Sequence, residues 1–133
     1  MTWYCPVRRV DVLDEWNYVG KEATSMMGKP NAERLLDALS EGTATLFIIE
    51  TGFFVLAAEG DATLIWVAKC EGTGNYQTYM PLIEDLSIAS GSEKLTLKTR
   101  RRGMSRLLGP EWRAEPCGIW TKYVKELGHG IKD

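Results

Sequence analysis

The sequence has few of the residues from which proteins build metal centres or disulfide frameworks. It contains one histidine, His129, and no Cys-x-x-Cys pair, so the ligand spacing of a zinc site is missing. Its three cysteines, Cys5, Cys70 and Cys117, are odd in number and far apart. This pattern argues against a disulfide framework and favours a reducing compartment. We therefore expect a cytoplasmic protein that holds no metal.

Long hydrophobic runs are also missing. No stretch approaches the roughly 20 apolar residues that a membrane-spanning helix requires, and the first residues lack the charged start and apolar core of a signal peptide. A chain of 133 residues is long enough for one hydrophobic core and short for two. The sequence predicts a soluble protein without a membrane partner, with one domain over residues 1–127 and a loose tail over residues 128–133.

Positive charge is concentrated in one basic segment (residues 94–113), although the net charge of the chain is only −2. The basic segment carries seven Lys or Arg residues and one Glu, so its charge is +6 and that of the remainder is −8. Such a segment suits the phosphates of a cofactor or a polyanion, or it forms a solvated surface. Because it lacks interleaved aromatic side chains for base stacking, nucleic acid is the least favoured partner.

Hydrophobic periodicity predicts a mixture of helices and strands. Short turns at residues 51–52 and 60–61 join three apolar strands into an antiparallel meander. Thr78 is the predicted N-cap of the helix that follows, because this start places Pro81 in the first turn, where a missing N–H does no harm. The predicted strands are residues 3–9, 44–50, 53–59, 62–69, 94–99, 112–114 and 117–124, and the other helices are residues 10–26, 32–40 (with Asn31 as N-cap) and 103–108.

The stretch over residues 62–91 organises the rest of the chain. Its apolar run, residues 64–68, is typical of a strand that is covered on both faces. A turn of Gly72, Thr73 and Gly74 and then a helix follow this strand. Free N–H groups beside a helix N-terminus suit a phosphate or pyrophosphate, and glycine lets the ligand approach the backbone. The sequence therefore predicts an anion site at this junction.

The order of strand, two helices, three strands, helix, strand, short helix and final strands resembles that of the GNAT N-acyltransferase superfamily, over about residues 3–124. This family carries the signature R/Q-x-x-G-x-G/A between its central strand and the next helix. At that place the sequence has Lys69-Cys70-Glu71-Gly72-Thr73-Gly74, with Lys where Arg or Gln is usual. The resemblance implies an α+β fold (α/β/α layered) with a mixed, mainly antiparallel twisted sheet and a splayed central strand pair.

The resemblance also implies a cosubstrate, acetyl-CoA or another acyl-CoA. Its pyrophosphate would lie on the glycine turn, and its pantetheine arm would pair with the exposed backbone at the end of the central strand. The ribose phosphate would lie near Lys98 or residues 100–102. The implied cofactor-binding residues are Val67, Ala68, Lys69, Gly72, Thr73, Gly74, Asn75 and Tyr76.

Two departures from the family pattern concern the chemistry. Many members place a tyrosine in the short late helix to protonate the departing thiolate, and an asparagine on the strand before it; neither is present in residues 99–109. Acyl transfer also needs a base for the amine. For each candidate a structural role is the more common one, as a solvated carboxylate or a core aromatic. The candidate bases are Glu50, Glu59 and Glu71, the candidate acids are Tyr76, Tyr79 and Tyr123, and the favoured catalytic set is Glu50, Glu59 and Tyr123.

Two functions of different classes stay open. The first is an acyl-CoA-dependent N-acyltransferase that modifies an amine of a small molecule or a protein. The second is a catalytically inactive GNAT-like binding or structural protein, because the small size and short loops resemble GNAT-like proteins of tailed bacteriophages, including virion-associated ones. A homodimer and virion proteins are the partners left open, and the second function would place the protein in the host cytoplasm or the virion.

Overall fold

The computed structural model describes residues 4–7, 9–49, 52–70, 75–99 and 104–127. The order of its elements confirms the predicted succession. None of the described helices has the length and apolar run that crossing a bilayer requires. The elements are β1 (Tyr4–Val7), α1 (Arg9–Met27), α2 (Lys29–Glu41), β2 (Ala44–Ile49), β3 (Gly52–Glu59), β4 (Ala62–Cys70), α3 (Asn75–Ala89), β5 (Lys94–Thr99), α4 (Met104–Leu108), β6 (Trp112–Cys117) and β7 (Trp120–Glu126).

The chain divides into two compact units. The first comprises Met1–Ala57 and Val67–Glu71, and the second comprises Ala58–Trp66 and Gly72–Asp133. Strands β3 and β4 therefore contribute residues to both units. The single domain over residues 1–127 stays a prediction, and the predicted tail lies outside the described residues.

The strands form a sheet with the order β1-β2-β3-β4-β5-β7-β6. β4 and β5 are parallel, whereas β1–β2, β2–β3, β5–β7 and β6–β7 are antiparallel. The predicted α+β class with a mixed, mainly antiparallel sheet is thus confirmed. The order in the sheet departs from the order in the chain at one place, since β7 rather than β6 lies beside β5.

The core of the first unit explains why its strands are continuous apolar runs in the sequence. Phe53 and Phe54 are consecutive in β3, so their side chains point to opposite faces, and yet both are fully buried. Phe54 stacks on Phe47 of β2 with ring centroids 5.0 Å apart, and Tyr18 of α1 meets Phe53 edge to face. Both faces of this part of the sheet are therefore covered, as predicted.

The junction between α1 and α2 differs from the prediction. Gly28, with a φ of 89°, is the N-cap of α2, and Pro30 lies in the first turn, where its missing N–H is harmless. The prediction that Asn31 is the N-cap is wrong because the helix begins at Lys29, three residues before the predicted start at residue 32. The Asn31 Nδ2 instead donates to the carbonyl of Met27, 3.0 Å away at the end of α1. It thereby satisfies one of the carbonyls that a helix end leaves unpaired.

The last part of the chain is a hairpin rather than one strand over residues 117–124. β6 ends at Cys117, β7 begins at Trp120, and Gly118 between them has a φ of 67°. That left-handed conformation is what a two-residue hairpin turn requires. Ile119 concealed the turn from sequence analysis because an isoleucine suggests a strand interior, although here it is 75% exposed.

Strand β6 is at the edge of the sheet and is poorly suited to pair with another chain. Cys117 and Trp120 close the hairpin, so they exchange its terminal hydrogen bonds. The backbone nitrogen of Pro116 therefore points away from β7, toward the side where an added strand would need an N–H donor. An outward proline and charged neighbours protect an edge strand from edge-to-edge association.

Helix α3 begins earlier than predicted. It starts at Asn75 and includes Pro81 in its interior, so the prediction of Thr78 as N-cap, with Pro81 in the first turn, is wrong. Pro81 is exposed, so its ring faces solvent and the main loss is the hydrogen bond to the carbonyl of Gln77. As a result, the first turn of α3 begins directly after Gly74 in the chain.

The second half of α3 is bound to β7 by an ion pair. The Glu84 carboxylate lies 2.7 Å from the Lys125 ammonium on β7, and both side chains are largely buried. Within the helix, Ser87 is 1% exposed, and its hydroxyl donates to the carbonyl of Ile83 at 2.8 Å. The ion pair therefore holds the helix against β7 beyond the proline.

Replacing Pro81 by alanine is expected to stabilise the protein. The change restores an N–H donor for the carbonyl of Gln77 at an exposed position. A proline in a helix interior costs about 3 kcal/mol, and the more flexible unfolded chain of the variant offsets up to about 1 kcal/mol. We expect the free energy of unfolding in urea to rise by about 1–2 kcal/mol.

The control for this experiment is Asp85→Ala, an exposed position in the same helix. It should change the free energy of unfolding by less than about 0.5 kcal/mol. A Pro81→Ala variant less stable than the wild type would show that α3 accommodates the proline without strain.

Candidate functional site

The parallel pairing between β4 and β5 is short. It ends at Ile65↔Leu97, whereas β4 continues to Cys70. β5 stays in register with β7 as far as Thr99. The backbone of residues 66–70 therefore extends past its register with β5, and the polar groups on that side are not paired by it.

The predicted cofactor-binding residues on β4 lie in this extension. Val67 is buried, with 5% of its surface exposed, so only its backbone is left for a ligand. Ala68 and Lys69 are half-buried. The strand thus places the backbone of all three residues beyond the end of the β5 register, as the predicted pairing with an extended ligand requires.

The start of α3 carries other predicted cofactor-binding residues. Asn75 and Tyr76 are its first two residues, and Gly72, Thr73 and Gly74 lie outside the described residues. The first N–H groups of a helix have no partner within the helix, and the helix dipole adds partial positive charge there. An anion at this end of the helix would meet both.

Lys69 is engaged in an ion pair that the sequence did not reveal. Its ammonium lies 3.2 Å from the Glu22 carboxylate on α1, and both side chains are half-buried. Lys69 has the position in the chain at which the family signature has Arg or Gln. Its charge is therefore directed to α1 and partly neutralised.

Glu59, a predicted base, lies at the end of β3 with its carboxylate bound by two groups of β5. Thr96 Oγ1 donates to it at 3.3 Å, and the Lys98 ammonium lies 3.6 Å away. Thr96 is 2% exposed and is therefore a fixed partner. The second predicted base, Glu50, lies outside the described residues.

Tyr123, the predicted acid, lies in the row of the sheet at which the β4–β5 register ends. Leu97 pairs with Ile65 on one side and with Tyr123 on the other. Residues opposite each other on neighbouring strands point to the same face. Tyr123 is 7% exposed, and its hydroxyl makes no hydrogen bond to the described residues.

The structure does not bring Glu59 and Tyr123 together. The Glu59 carboxylate is held on the face of β5 that carries Thr96 and Lys98, whereas Tyr123 shares the opposite face with Leu97. Two groups on opposite faces cannot form a direct acid–base pair.

Much of the positive charge in the basic segment is paired with acids. This pairing weakens the interpretation as a polyanion site and leaves Lys98 less available for a ribose phosphate. Residues 100–103 of the segment lie outside the described residues. The ion pairs are Lys94 with Asp61 at 3.7 Å, Lys98 with Glu59 at 3.6 Å, and Arg113 with Glu115 at 3.0 Å and Glu126 at 3.6 Å.

Sequence analysis missed the two side chains that hold predicted site residues. Thr96 occupies a polar position in an alternating strand and gave no sign that it would be buried. Glu22 belongs to a helix 47 positions before Lys69, and only the folded chain joins them. Within the described ranges, no group of three His, Cys, Asp or Glu side chains comes together as a metal site would require.

Comparison with known proteins finds matches by structure and none by sequence. No family model matches the sequence, and no curated protein matches it significantly. Solved structures do match. One is a PaiA N-acetyltransferase from Thermoplasma acidophilum in complex with coenzyme A, with a TM-score of 0.66 and 15% sequence identity, over 95% of this chain and 99% of that chain.

Two further structures show the same likeness. A GNAT-family acetyltransferase described as putative, from Desulfovibrio desulfuricans, has a TM-score of 0.67 and 12% identity over 96% of this chain and 100% of that chain. The GNAT-family N-acetyltransferase YhbS from Escherichia coli, in complex with CoA, has a TM-score of 0.64 and 9% identity over 96% and 82%. At such identities the likeness concerns the fold, and the fold is that of the GNAT superfamily.

Two variants, each lacking one hydroxyl group, are expected to show which hydroxyl stabilises the fold and which does not. Tyr123→Phe should change the free energy of unfolding by less than about 0.5 kcal/mol, because the lost hydroxyl has no partner among the described residues. Thr96→Val should lower it by about 1 kcal/mol, because the Glu59 carboxylate loses a donor. Urea denaturation measures both, and a loss of more than about 1 kcal/mol in Tyr123→Phe would show that its hydroxyl has a partner.

Proposed function

We propose that the protein is an acyl-CoA-dependent N-acyltransferase that transfers an acetyl or other acyl group to an amine of a small molecule or a protein. The observation that carries this proposal is the end of the β4–β5 register at Ile65↔Leu97, followed along the chain by the N-terminus of α3 at Asn75. A long, thin thioester with an anionic end suits this sequence of features.

The pantetheine arm has amide groups that an extended backbone can bind as it binds another strand. The backbone of Val67 and Ala68 offers such groups beyond the β5 register. The diphosphate would lie on Gly72, Thr73 and Gly74 and at the first N–H groups of α3, beginning with Asn75 and Tyr76. These two parts of the site follow each other along the chain in the order in which the parts of coenzyme A follow each other.

The reaction requires two proton transfers. The amine nitrogen attacks the thioester carbonyl, a C–N bond forms and the C–S bond breaks. The amine loses a proton to a base, and the departing thiolate gains one from an acid to leave free coenzyme A. We assign the acid role to Tyr123 and keep Glu59 and Glu50 as the proposed bases, acting through water.

The position of Tyr123 supports its role. It lies two strands from β4, a distance of about 10 Å between strand axes, in the row at which the β4–β5 register ends. Its hydroxyl makes no hydrogen bond to the described residues, so it would be free to donate its proton to a bound sulfur.

A catalytically inactive GNAT-like binding protein is the alternative. It is favoured by the lack of a tyrosine among residues 103–109. Both functions require coenzyme A binding if the inactive protein keeps its ligand, so turnover is the measurement that separates them.

Coenzyme A is expected to bind and to stabilise the folded protein. At 100 times its dissociation constant a ligand adds about 2.7 kcal/mol to the free energy of unfolding. Thermal unfolding with acetyl-CoA tests this, and Gly72→Trp should abolish the shift because a bulky side chain blocks the approach of a ligand to the backbone. The matched control is Ile119→Trp, which introduces the same residue at an exposed turn of β6 and β7 and should keep the shift.

An absent shift in the wild type would contradict the proposal. A shift that persists in Gly72→Trp would place the ligand elsewhere. Isothermal titration with coenzyme A then gives the dissociation constant of each variant directly.

The Tyr123→Phe variant is expected to lose turnover but not coenzyme A affinity. Removing a general acid lowers kcat by about 10²–10⁴-fold, and the dissociation constant should stay within a factor of about two because the hydroxyl acts on the departing thiolate. Thiol release with a panel of amines measures kcat. Glu59→Gln, assayed in parallel, tests the proposed base.

An unchanged kcat in Tyr123→Phe would remove Tyr123 from the mechanism. An unchanged kcat in Glu59→Gln would leave Glu50 as the proposed base. No thiol release by the wild type with any amine, despite coenzyme A binding, would favour the inactive alternative.

A further inference from the structure

Two lysines lie opposite each other on neighbouring strands of the second unit. Lys98 of β5 is the register partner of Lys122 of β7, so the two side chains point to the same face of the sheet. The pair adjoins the row of Leu97 and Tyr123, and the β4–β5 register ends at Leu97. Lys98 is therefore the first residue of β5 beyond that register.

Lys122 carries a charge that the described residues leave without a counter-ion. Lys98 has the Glu59 carboxylate 3.6 Å from its ammonium. Glu115 of β6 is the register partner of Lys122 on the other side, but Arg113 Nε donates to its carboxylate at 3.0 Å. The Lys122 ammonium makes neither an ion pair nor a hydrogen bond with the part of the chain that the structure describes, although its side chain is half-buried.

The order of charges across the strands suits one compact anion. From β3 to β6 the order is carboxylate, ammonium, ammonium and carboxylate, from Glu59, Lys98, Lys122 and Glu115. The positive stretch is only two strands wide, with about 5 Å between the strand axes. A long polyanion would meet the flanking carboxylates, whereas a single carboxylate or phosphate group would not. Lysines opposite each other repel, and an anion shared by both replaces that repulsion with attraction.

The proposed base lies beside this pair. The Glu59 carboxylate is bound by Lys98, on the face of the sheet that carries both lysines. An acceptor whose amine and anionic group are a few bonds apart would place its amine near Glu59 while its anionic group meets Lys122. A plain ammonium group offers the lysines only a like charge, so the anionic group also determines which amines bind.

We propose that Lys98 and Lys122 bind a carboxylate or phosphate group of the acceptor, and that the acceptor of the acyl transfer is an amine that carries such a group. This inference rests on the proposed function for the reaction itself. Lys122 supplies the uncompensated charge and determines specificity, and Lys98 supplies further N–H donors to the same anion.

The experiment is a nuclear magnetic resonance titration of the full chain with three small amines, without coenzyme A. β-Alanine carries a carboxylate, 2-aminoethyl phosphate carries a phosphate, and propylamine carries no anionic group. We expect both anionic amines to bind and propylamine to bind at least about ten-fold more weakly, because hydrogen bonds to charged groups are the strong ones. The tighter of the two anionic amines identifies the group that the lysines prefer.

The test variant is Lys122→Gln, because changing Lys98 would also release Glu59. It should weaken the binding of both anionic amines about three- to five-fold, as expected for a partly exposed ion pair, and should not weaken that of propylamine. High salt should reduce the difference. Lys122→Arg keeps the charge and should stay within a factor of about two. The matched control is Lys29→Gln, an exposed lysine on α2, which should change nothing.

Thermal unfolding without ligand separates binding from a structural role. Lys122→Gln should not lower the melting temperature, because it removes a repulsion rather than an ion pair. Wild-type affinity in Lys122→Gln, or an equal loss in Lys29→Gln, would overturn the proposal. So would propylamine that binds as well as the anionic amines, or no binding of any of the three.

Thiol release with acetyl-CoA distinguishes this proposal from the proposed function. β-Alanine should give a higher kcat/KM than propylamine, and Lys122→Gln should raise the KM for β-alanine more than it lowers kcat. If propylamine reacts as well as β-alanine, the acyl transfer stands and the anionic acceptor is overturned. If the anionic amines bind through Lys122 and no amine releases thiol, the anion site stands and the proposed function is contradicted.

Discussion

The pairing of the β4 backbone is the constraint on which the rest of the structure depends. A strand inside a sheet must satisfy its N–H and C=O groups on both sides, and β4 has β3 on one side and β5 on the other. Its register with β5 ends at Ile65, while β5 continues in register with β7. The candidate site is therefore a consequence of sheet topology, because it lies where one strand extends past its neighbour. The side chains around it adjust a site that the backbone defines.

Ion pairs decide how much of the charge in the sequence acts on a ligand. The basic segment is +6 in the sequence, but Lys94 and Lys98 each meet an acid from the β3–β4 hairpin. Lys69 meets Glu22 in the same way. A local count of charges therefore overstates the positive field, since the compensating acids are far away in the sequence and near in space. Such partly exposed pairs are weak individually, so an anionic ligand can compete with them.

Sequence analysis was right where local chemistry and packing agree. Gly60 takes a φ of 64° in the hairpin between β3 and β4, and the buried pair Phe53 and Phe54 confirms the covered sheet. It was wrong at Asn31 and in placing the start of α3, because good capping residues are preferences that a helix can override when its neighbours fit the first turn. For the site, sequence contiguity alone placed Val67 to Lys69 on one strand. The contacts of Glu22 and Thr96 depend on the folded chain, so no local sequence pattern predicted them.

The place of Tyr123 shows why a missing family residue does not decide the chemistry. A proton donor is defined by the position of its hydroxyl relative to the departing sulfur, and that position can be reached from more than one element. Register alone brings Tyr123 of β7 into the row of Ile65 and Leu97, where the β4–β5 pairing ends. Among the described residues, no fully buried side-chain oxygen or nitrogen lacks a hydrogen-bond partner. The Tyr123 hydroxyl is therefore not left unpaired in the core. Its proposed role as an acid depends on its place in that row rather than on a missing partner.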